Sequence, residues 1–152
     1  MRVEQLMTKD VRTCKPDETL SDAARVLWER DCGFVPVIEG DGSPRVVGVL
    51  TDRDICMAAF LRGQSLPEIA VREVMSRGLR TCRADDAVAD AEATMRAAQL
   101  HRLPVVDDAG QLLGVISLAD LAREAVREQG APRREITETE IGDTLAAIHR
   151  PR

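Results

Sequence analysis

Hydrophobic and polar positions along the first part of the chain predict a β-α-β-β-α unit. The apolar runs FVPVIE (Phe34–Glu39) and RVVGVLT (Arg45–Thr51) flank the sequence GDGSP, whose residues are typical of a hairpin turn. Apolar residues at helical spacing predict a helix over Leu20–Arg30, and a second helix is expected over Asp52–Arg62. The short extended piece VRTC (Val11–Cys14) comes before the first helix.

The same pattern occurs twice. Residues 3–27 align with residues 71–95, so that Arg12-Thr13-Cys14 falls on Arg80-Thr81-Cys82. After a slightly shorter second hairpin loop, Gly48-Val49 falls on Gly114-Val115 and Asp54 on Asp120. The second copy predicts helices over Val88–Gln99 and Leu118–Glu128, with strands in RLPVVD and QLLGVIS between them.

These repeats divide the chain into four predicted segments. The first repeat covers residues 1–62, a linker 63–70, the second repeat 71–128 and a C-terminal tail 129–152. One repeat alone would expose a face of its sheet, so we expect an α/β fold in which the two repeats pack with pseudo-twofold symmetry. In the tail, Ile141, Leu145 and Ile148 fit one side of a short helix.

Composition limits the classes of function. The net charge of −5 argues against a nucleic-acid-binding surface. No apolar run approaches the roughly 18 residues of a membrane span, and the first residues lack a signal-peptide core, so we expect a cytoplasmic protein without membrane contact. None of the four cysteines has C-x-x-C spacing, and no catalytic or metal-binding constellation is present. We therefore expect a binding protein that is not an enzyme.

Two short motifs are candidates for chemistry. Thr51-x-x-Asp54 and Ser117-x-x-Asp120 each lie where a predicted strand leads into a helix. This spacing is that of a capping box, which would give both motifs a purely structural role. A helix N-terminus also presents unpaired N–H groups and partial positive charge, which suit a phosphorylated ligand. The two roles are compatible, and spacing alone does not decide between them.

The repeats resemble cystathionine-β-synthase (CBS) domains. The resemblance covers about Val3–Val126 and depends on two motifs, GVLTDRD and GVISLAD, each at the same place in a matching repeat. Two such domains in tandem resemble a Bateman module, and HRLPVVD is similar to a segment of the γ regulatory subunit of AMP-activated protein kinase. Because no catalytic or transport domain is attached, we expect a standalone member.

The resemblance implies two nucleotide sites, each drawing on both repeats. Asp54 and Asp120 would hold the ribose hydroxyls, and Thr51 and Ser117 would hold phosphate or ribose oxygens. The first predicted site comprises Thr51, Arg53, Asp54, Leu79, Thr81, His101, Arg102 and Pro104. The second comprises Val11, Thr13, Phe34, Pro36, Ser117 and Asp120. Val35 and Leu103 are expected to line the adenine. Because the second site lacks the cationic groups of the first, we expect it to be weaker, empty or structural.

The resulting hypothesis is a regulatory sensor of AMP, ADP or ATP, with Mg²⁺ accompanying ATP, that modulates an unidentified protein target. The sequence leaves open S-adenosylmethionine, an NAD derivative or a cyclic dinucleotide as the ligand. Alternatives are a ligand-independent dimerisation or interaction module, and a thiol redox sensor using Cys14 and Cys82. A homodimer is expected, with the helix of Trp28 or the second helices at its interface.

Overall fold

The computed structural model describes residues 1–130, 132 and 134–149. In this part of the chain, five α-helices and two small sheets form a mixed α/β fold, which confirms the predicted class. The helices are α1 (Leu20–Glu29), α2 (Asp52–Arg62), α3 (Val88–Ala98), α4 (Leu118–Arg127) and α5 (Glu138–Ile148). The strands are β1 (Phe34–Glu39), β2 (Arg45–Thr51), β3 (Cys82–Arg83), β4 (Arg102–Val106) and β5 (Leu112–Ser117). The predicted helices end within a residue or so of these bounds.

The sheets follow from the two hairpins. Strands β1 and β2 are antiparallel, with Phe34 opposite Thr51. The second sheet has the order β3-β4-β5, with β3 parallel to β4. The VRTC segment of the first repeat makes only one parallel bridge, between Cys14 and Val37, where the second repeat forms β3. In both repeats, the short segment before the first helix therefore runs beside the first strand of the hairpin.

Packing divides the chain into two compact units, whose boundaries differ from those of the sequence repeats. The first-repeat unit contains Asp10–Leu79 and Asp108–Leu112; the second-repeat unit contains Met1–Lys9, Arg80–Asp107 and Leu113–Arg152. Val3, which opens the first repeat in sequence, is fully buried in the core of the second-repeat unit. Its N–H donates to the carbonyl of Asp86. The segment before each repeat's first extended piece thus packs on the other repeat's core.

The corresponding segment of the second repeat, which includes Val71, makes the same exchange. Val71 is fully buried in the core of the first-repeat unit, and its N–H donates to the carbonyl of Glu18 at 2.8 Å. Ile69 in the linker is buried in the same core, and its carbonyl accepts from the N–H of Leu20. Each unit therefore has its own hydrophobic core, and each core includes residues from the start of the other repeat.

The C-terminal helix α5 packs against α3 and α4 within the second-repeat unit. Thr144 of α5 is fully buried; its hydroxyl donates to the carboxylate of Glu92 on α3 and accepts from Nη2 of Arg96 at 2.7 Å. Arg96 also pairs with Glu92 at 3.0 Å. Because a buried carboxylate needs such partners, these three side chains fix where α5 lies. The tail helix expected from Ile141, Leu145 and Ile148 is present, and Ile148 is buried.

Glycine is required at one place in each hairpin. A Cβ on Gly114 would lie 2.6 Å from the backbone carbonyl oxygen of Thr8, whereas a Cβ on Gly48 would meet the Met75 sulfur at 2.7 Å. A methionine side chain can move away but a backbone carbonyl cannot.

We expect Gly114→Ala to lower the free energy of unfolding by about 1–3 kcal/mol, and Gly48→Ala to lower it by less. Chemical denaturation of both variants measures this, and an equal loss would contradict it.

The contacts of Thr144 give a second prediction. Thr144→Val keeps the shape of the side chain but removes the hydroxyl that joins Glu92 to Arg96. We expect the free energy of unfolding to fall by about 1–3 kcal/mol in a denaturant titration, because a buried polar partner is lost. The matched control is Thr139→Val on the exposed surface of the same helix, which should change stability by less than about 0.5 kcal/mol. Equal effects at the two positions would show that the buried hydroxyl does not hold α5.

Candidate functional site

The Thr51-x-x-Asp54 motif forms a capping box at the start of α2. Thr51 has extended backbone angles as the last residue of β2, and its hydroxyl oxygen accepts from the N–H of Asp54 at 3.2 Å. One carboxylate oxygen of Asp54, Oδ2, accepts from the N–H and the hydroxyl of Thr51 at 2.9 and 2.8 Å. The structural role considered from the sequence is therefore present, and it uses one of the two carboxylate oxygens.

Ser117 and Asp120 form the equivalent capping box at the start of α4. Oδ2 of Asp120 accepts from the N–H and the hydroxyl of Ser117 at 2.8 and 2.5 Å. The N–H of Asp120 donates to the serine hydroxyl at 3.2 Å. The two repeats thus build the same strand-to-helix junction from different hydroxyl residues.

The second carboxylate oxygen distinguishes the two junctions. Oδ1 of Asp120 accepts from Nη2 of Arg123, and Asp120 is only 8% exposed. Met57 occupies the position in the first repeat that corresponds to Arg123. In the part of the chain that the structure describes, Oδ1 of Asp54 shows no such partner, and Asp54 is half-buried. Asp54 therefore has an acceptor available for a ligand, while the one on Asp120 is already occupied. This pairing was not predicted, although the spacing of Arg123 from Asp120 is that of a helical ion pair.

The first-repeat unit contains half of each predicted site. Of the first site it holds Thr51, Arg53, Asp54 and Leu79; of the second it holds Val11, Thr13, Phe34 and Pro36. Cross-strand pairing places Phe34 directly opposite Thr51, and the carbonyl of Gly33 accepts from the N–H of Asp52 at 3.4 Å. Arg53 is exposed on the first turn of α2. The hairpin therefore brings the start of β1 and the N-terminus of α2 together.

The other half of each site lies in the second-repeat unit. Of the first site it holds Thr81, His101, Arg102 and Pro104; of the second it holds Ser117 and Asp120. Thr81 is exposed immediately before β3, which runs parallel to β4. The carbonyl of His101 accepts from the N–H of Leu118 at 2.9 Å, which fixes His101 beside the N-terminus of α4. Arg102 follows it as the half-buried first residue of β4.

His101 has a neighbour that the sequence analysis did not identify. The rings of His101 and His149 meet edge to face, with their centroids 4.9 Å apart. Burial, His149 and Arg102, in that order, lower the pKa of His101 below its ordinary value. His149 follows α5 directly, so the contact depends on the packing of that helix. No local sequence signal could have revealed it.

Some predicted lining residues belong to the cores instead. Val35 and Leu103 are fully buried in separate hydrophobic cores, so the expectation that they line the adenine is wrong. Pro36 and Pro104 are also buried, whereas Val11, Phe34 and Leu79 keep partly exposed side chains. An open cavity of about 400 Å³ lies by Leu27, Trp28 and Ile55 and includes none of the predicted site residues.

The cysteines considered for redox sensing are poorly suited to it. Cys14 and Cys82 are buried, and burial is the main cause that raises the pKa of each thiol to about 12, with Glu18 and Asp86 adding to it. The reactive thiolate is therefore scarce at neutral pH. Cys56, by contrast, is exposed on α2.

The described residues include neither a metal-binding cluster nor a helix that could span a membrane. No group of three or more His, Cys, Asp or Glu side chains is arranged to hold a metal ion. None of the helices described has both the length and the apolar character needed to cross a bilayer.

The chain belongs to the CBS-domain family. The family's sequence profile, described as CBS domain, matches residues 3–60 and 71–127. The tandem resemblance inferred from the two repeats is thereby confirmed. Among curated relatives, the CBS domain-containing protein YhcV of Bacillus subtilis is 33% identical over 129 residues, which cover 85% of this chain and 89% of the relative.

Solved structures agree with this assignment. A conserved CBS domain protein of unknown function from Thermoplasma acidophilum matches with a TM-score of 0.78 at 28% identity, covering 97% of this chain and 75% of that one. CBSX2, crystallised in complex with AMP, matches with a TM-score of 0.72 at 27% identity, covering 84% of this chain and 98% of that one.

The unequal capping carboxylates give a prediction about stability. Asp120→Ala removes the cap and the partner of Arg123, whereas Asp54→Ala removes the cap alone. We expect Asp54→Ala to lower the free energy of unfolding by about 1 kcal/mol. Asp120→Ala should lower the free energy of unfolding further, because the ion pair with Arg123 is lost as well. The additional loss should not exceed about 1 kcal/mol, since solvent partly screens the exposed Arg123.

Denaturant titrations of both variants and of Arg123→Ala provide the measurement. If the pair accounts for the difference, Arg123→Ala should destabilise the wild-type chain but have no effect in the Asp120→Ala background. Equal stabilities of the two aspartate variants would contradict the asymmetry.

Proposed function

We propose that this chain is a regulatory module that binds an adenine nucleotide of the AMP, ADP or ATP type and thereby modulates a partner protein. The observation that carries the proposal is the uncommitted Oδ1 of Asp54 at the N-terminus of α2. The relative CBSX2, which binds AMP in its crystal, supports the same ligand class. A cytoplasmic location belongs to the proposal because these nucleotides are abundant there.

Asp54 and Thr51 are assigned to the ribose end of the ligand. A carboxylate oxygen is a poor phosphate ligand but a strong acceptor for the paired hydroxyls of a ribose. Oδ2 keeps the cap in place while Oδ1 accepts from the ligand, so the structural and binding roles use different oxygens. The N-terminus of α2 adds N–H groups and partial positive charge nearby. Leu79 and Thr81 are the residues proposed around the base, and Pro104, which is buried, completes the set assigned to this site.

The phosphates are assigned to Arg53, His101 and Arg102. Arginine matches the geometry of phosphate oxygens, and a protonated imidazole adds a further donor. Arg102 at the start of β4, with His101 just before it, would favour a phosphorylated ligand over S-adenosylmethionine, which itself carries positive charge. Mg²⁺ would enter with ATP as its counter-ion, since the described residues provide no metal-binding cluster of their own.

The second site is proposed to be weaker than the first. Arg123 already occupies Oδ1 of Asp120, so a ribose would have to displace an ion pair. Gly33 and Phe34 stand where the other repeat has His101 and Arg102, which removes the charge that would hold phosphate. Val11, Thr13, Pro36 and Ser117 complete the residues assigned to this site.

Dimerisation is a second candidate function, and exposed apolar side chains on two helices favour it. Trp28 on α1 is 86% exposed, and Phe60 and Leu61 on α2 are 77% and 73% exposed. Large apolar side chains exposed together on neighbouring helices indicate an interaction surface. We propose a homodimer through these helices, which is compatible with nucleotide binding. Redox sensing is not retained, because burial of Cys14 and Cys82 keeps both thiols protonated.

The test is a calorimetric titration of AMP, ADP and ATP into protein that has been unfolded, freed of co-purified ligand and refolded. Asp54→Asn is the decisive variant. The amide oxygen can still accept from Thr51 and keep the cap, but the amide nitrogen replaces the acceptor offered to the ribose. We expect an affinity at least about tenfold lower, equivalent to about 1.4 kcal/mol or more.

Asp22→Asn is the matched control. Asp22 forms the same capping box with Thr19 at the start of α1, with bonds of 3.0 and 2.7 Å, and lies outside both proposed sites. It should leave nucleotide affinity unchanged. If correctly refolded wild-type protein binds none of the three nucleotides, the sensor proposal is wrong, and the dimerisation surface becomes the leading account.

A further inference from the structure

We propose that helix α5 is part of the nucleotide-binding machinery and that its docking on α3 and α4 is coupled to nucleotide binding through His149. This inference rests on the proposed function, because it takes His101 and Arg102 as phosphate ligands. It goes beyond that function by assigning a role to a segment outside both CBS repeats. His149 becomes a positioning residue for the phosphate end of the ligand.

The contact between the two histidines carries the proposal. His149 follows the last turn of α5, and its Nδ1 lies 3.0 Å from the carbonyl oxygen of Leu145. The His149 ring meets that of His101 with a centroid separation of 4.9 Å and an interplanar angle of 64°. Arg102 is the next residue along the chain from His101. The end of α5 therefore lies beside the two residues, His101 and Arg102, that are proposed to hold phosphate.

The position of His149 depends on how α5 is anchored. The buried hydroxyl of Thr144 joins α5 to Glu92 and Arg96 on α3, one turn before His149. At the other end of the segment, the carboxylate of Glu128 accepts from the N–H of Ile136 at 3.1 Å. Moving α5 away would therefore remove His149 from His101.

Helix α5 is weak unless it is docked. It has 11 residues, which is below the roughly 12–15 at which an isolated helix becomes even marginally stable in water. Gly142 lies in its middle, and a glycine there costs about 0.5–1 kcal/mol relative to alanine. Helix formation and docking are therefore one event. A ligand of modest differential affinity can shift such an equilibrium.

Charge explains why a nucleotide would favour the docked state. His101 faces His149 and Arg102, and burial first, then these two neighbours, lower the pKa of its ring. A bound phosphate group would supply negative charge, which would make the close approach of His101, His149 and Arg102 favourable. Thermodynamic linkage makes this coupling reciprocal: if docking of α5 strengthens nucleotide binding, nucleotide binding stabilises the docked helix by the same free energy.

The two repeats differ on the corresponding helical faces. Trp28, which is exposed on α1, occupies the position that Arg96 holds on α3, where it bonds to Thr144. The arginine that bonds to α5 thus lies on the repeat that carries His101 and Arg102, and the equivalent position of the other repeat has none. This pairing is expected if docking and ligand binding act together.

The experiment measures AMP affinity by calorimetry in four variants of the full chain. His149→Ala removes the contact and Thr144→Ala removes the anchor, so both should weaken AMP binding, by about fivefold or more if the coupling is of ordinary size. Gly142→Ala, where the added methyl group meets open space, should stabilise α5 and strengthen binding. Thr139→Ala, on the exposed side of α5, should leave the affinity unchanged.

Two further readouts separate coupling from a general structural effect. Hydrogen exchange of the α5 amides should slow when AMP is added to the wild-type protein but not to His149→Ala. In ligand-free protein, NMR titration should show a higher pKa for His101 in His149→Ala than in the wild type. The second readout tests the contact without any nucleotide.

The outcomes are distinct. If AMP binds the wild type and all four variants equally, and α5 exchange does not respond, the coupling is wrong while the proposed function stands. If AMP does not bind the wild type but ADP or ATP does, the same variants are compared with that nucleotide; if none of the three binds, both proposals fail. If Gly142→Ala weakens binding as much as Thr144→Ala, docking is not the quantity that matters, and the inference is overturned.

Discussion

Each repeat depends on one carboxylate at the point where its last strand becomes a helix. The N–H groups of the first helical turn have no partners within the helix, so the turn needs a side chain to begin at a fixed residue. Asp54 and Asp120 provide it by bonding back to Thr51 and Ser117. The same constraint holds the remaining N–H groups and the second carboxylate oxygen in fixed directions. A structural requirement of the fold thereby prepares a place where a polar ligand can bind.

The two repeats share this strand-to-helix junction, but a few of the side chains around it differ. In the second repeat, Arg123 occupies the spare oxygen of Asp120, and Arg96 bonds to the chain's own C-terminal helix. In the first repeat, Met57 and Trp28 stand at those positions and leave a spare acceptor and an exposed apolar face. One repeat satisfies these surface groups internally, while the other leaves an acceptor and an apolar face uncommitted. Pseudo-symmetry of fold therefore does not imply two equivalent sites.

The sequence predicted what local chemistry determines. Hairpin turns, helical spacing and the capping boxes all depend on neighbours within a few residues, and the helix bounds were correct to within about a residue. The exchange of Val3 and Val71 between the two cores was not predicted, because either core accepts a valine and the pattern does not specify which. Val35 was misassigned for a similar reason: an apolar residue in a strand looks the same whether it faces a ligand or the core. The contact of His149 with His101 depends on tertiary packing alone.

The coupling proposed for α5 also explains how a bound nucleotide could change a protein surface. A ligand alters partner binding only if the two ligation states expose different groups. Undocking α5 would uncover the faces of α3 and α4, including the buried Glu92. That region corresponds to the face of α1 and α2 that is already exposed in the first repeat. A nucleotide that holds α5 in place would keep the face of α3 and α4 covered. Whether that face is available to a partner would therefore depend on the ligand. The signal would then come from the release of a short helix that is unstable on its own, which also withdraws Ile148 from the second-repeat core.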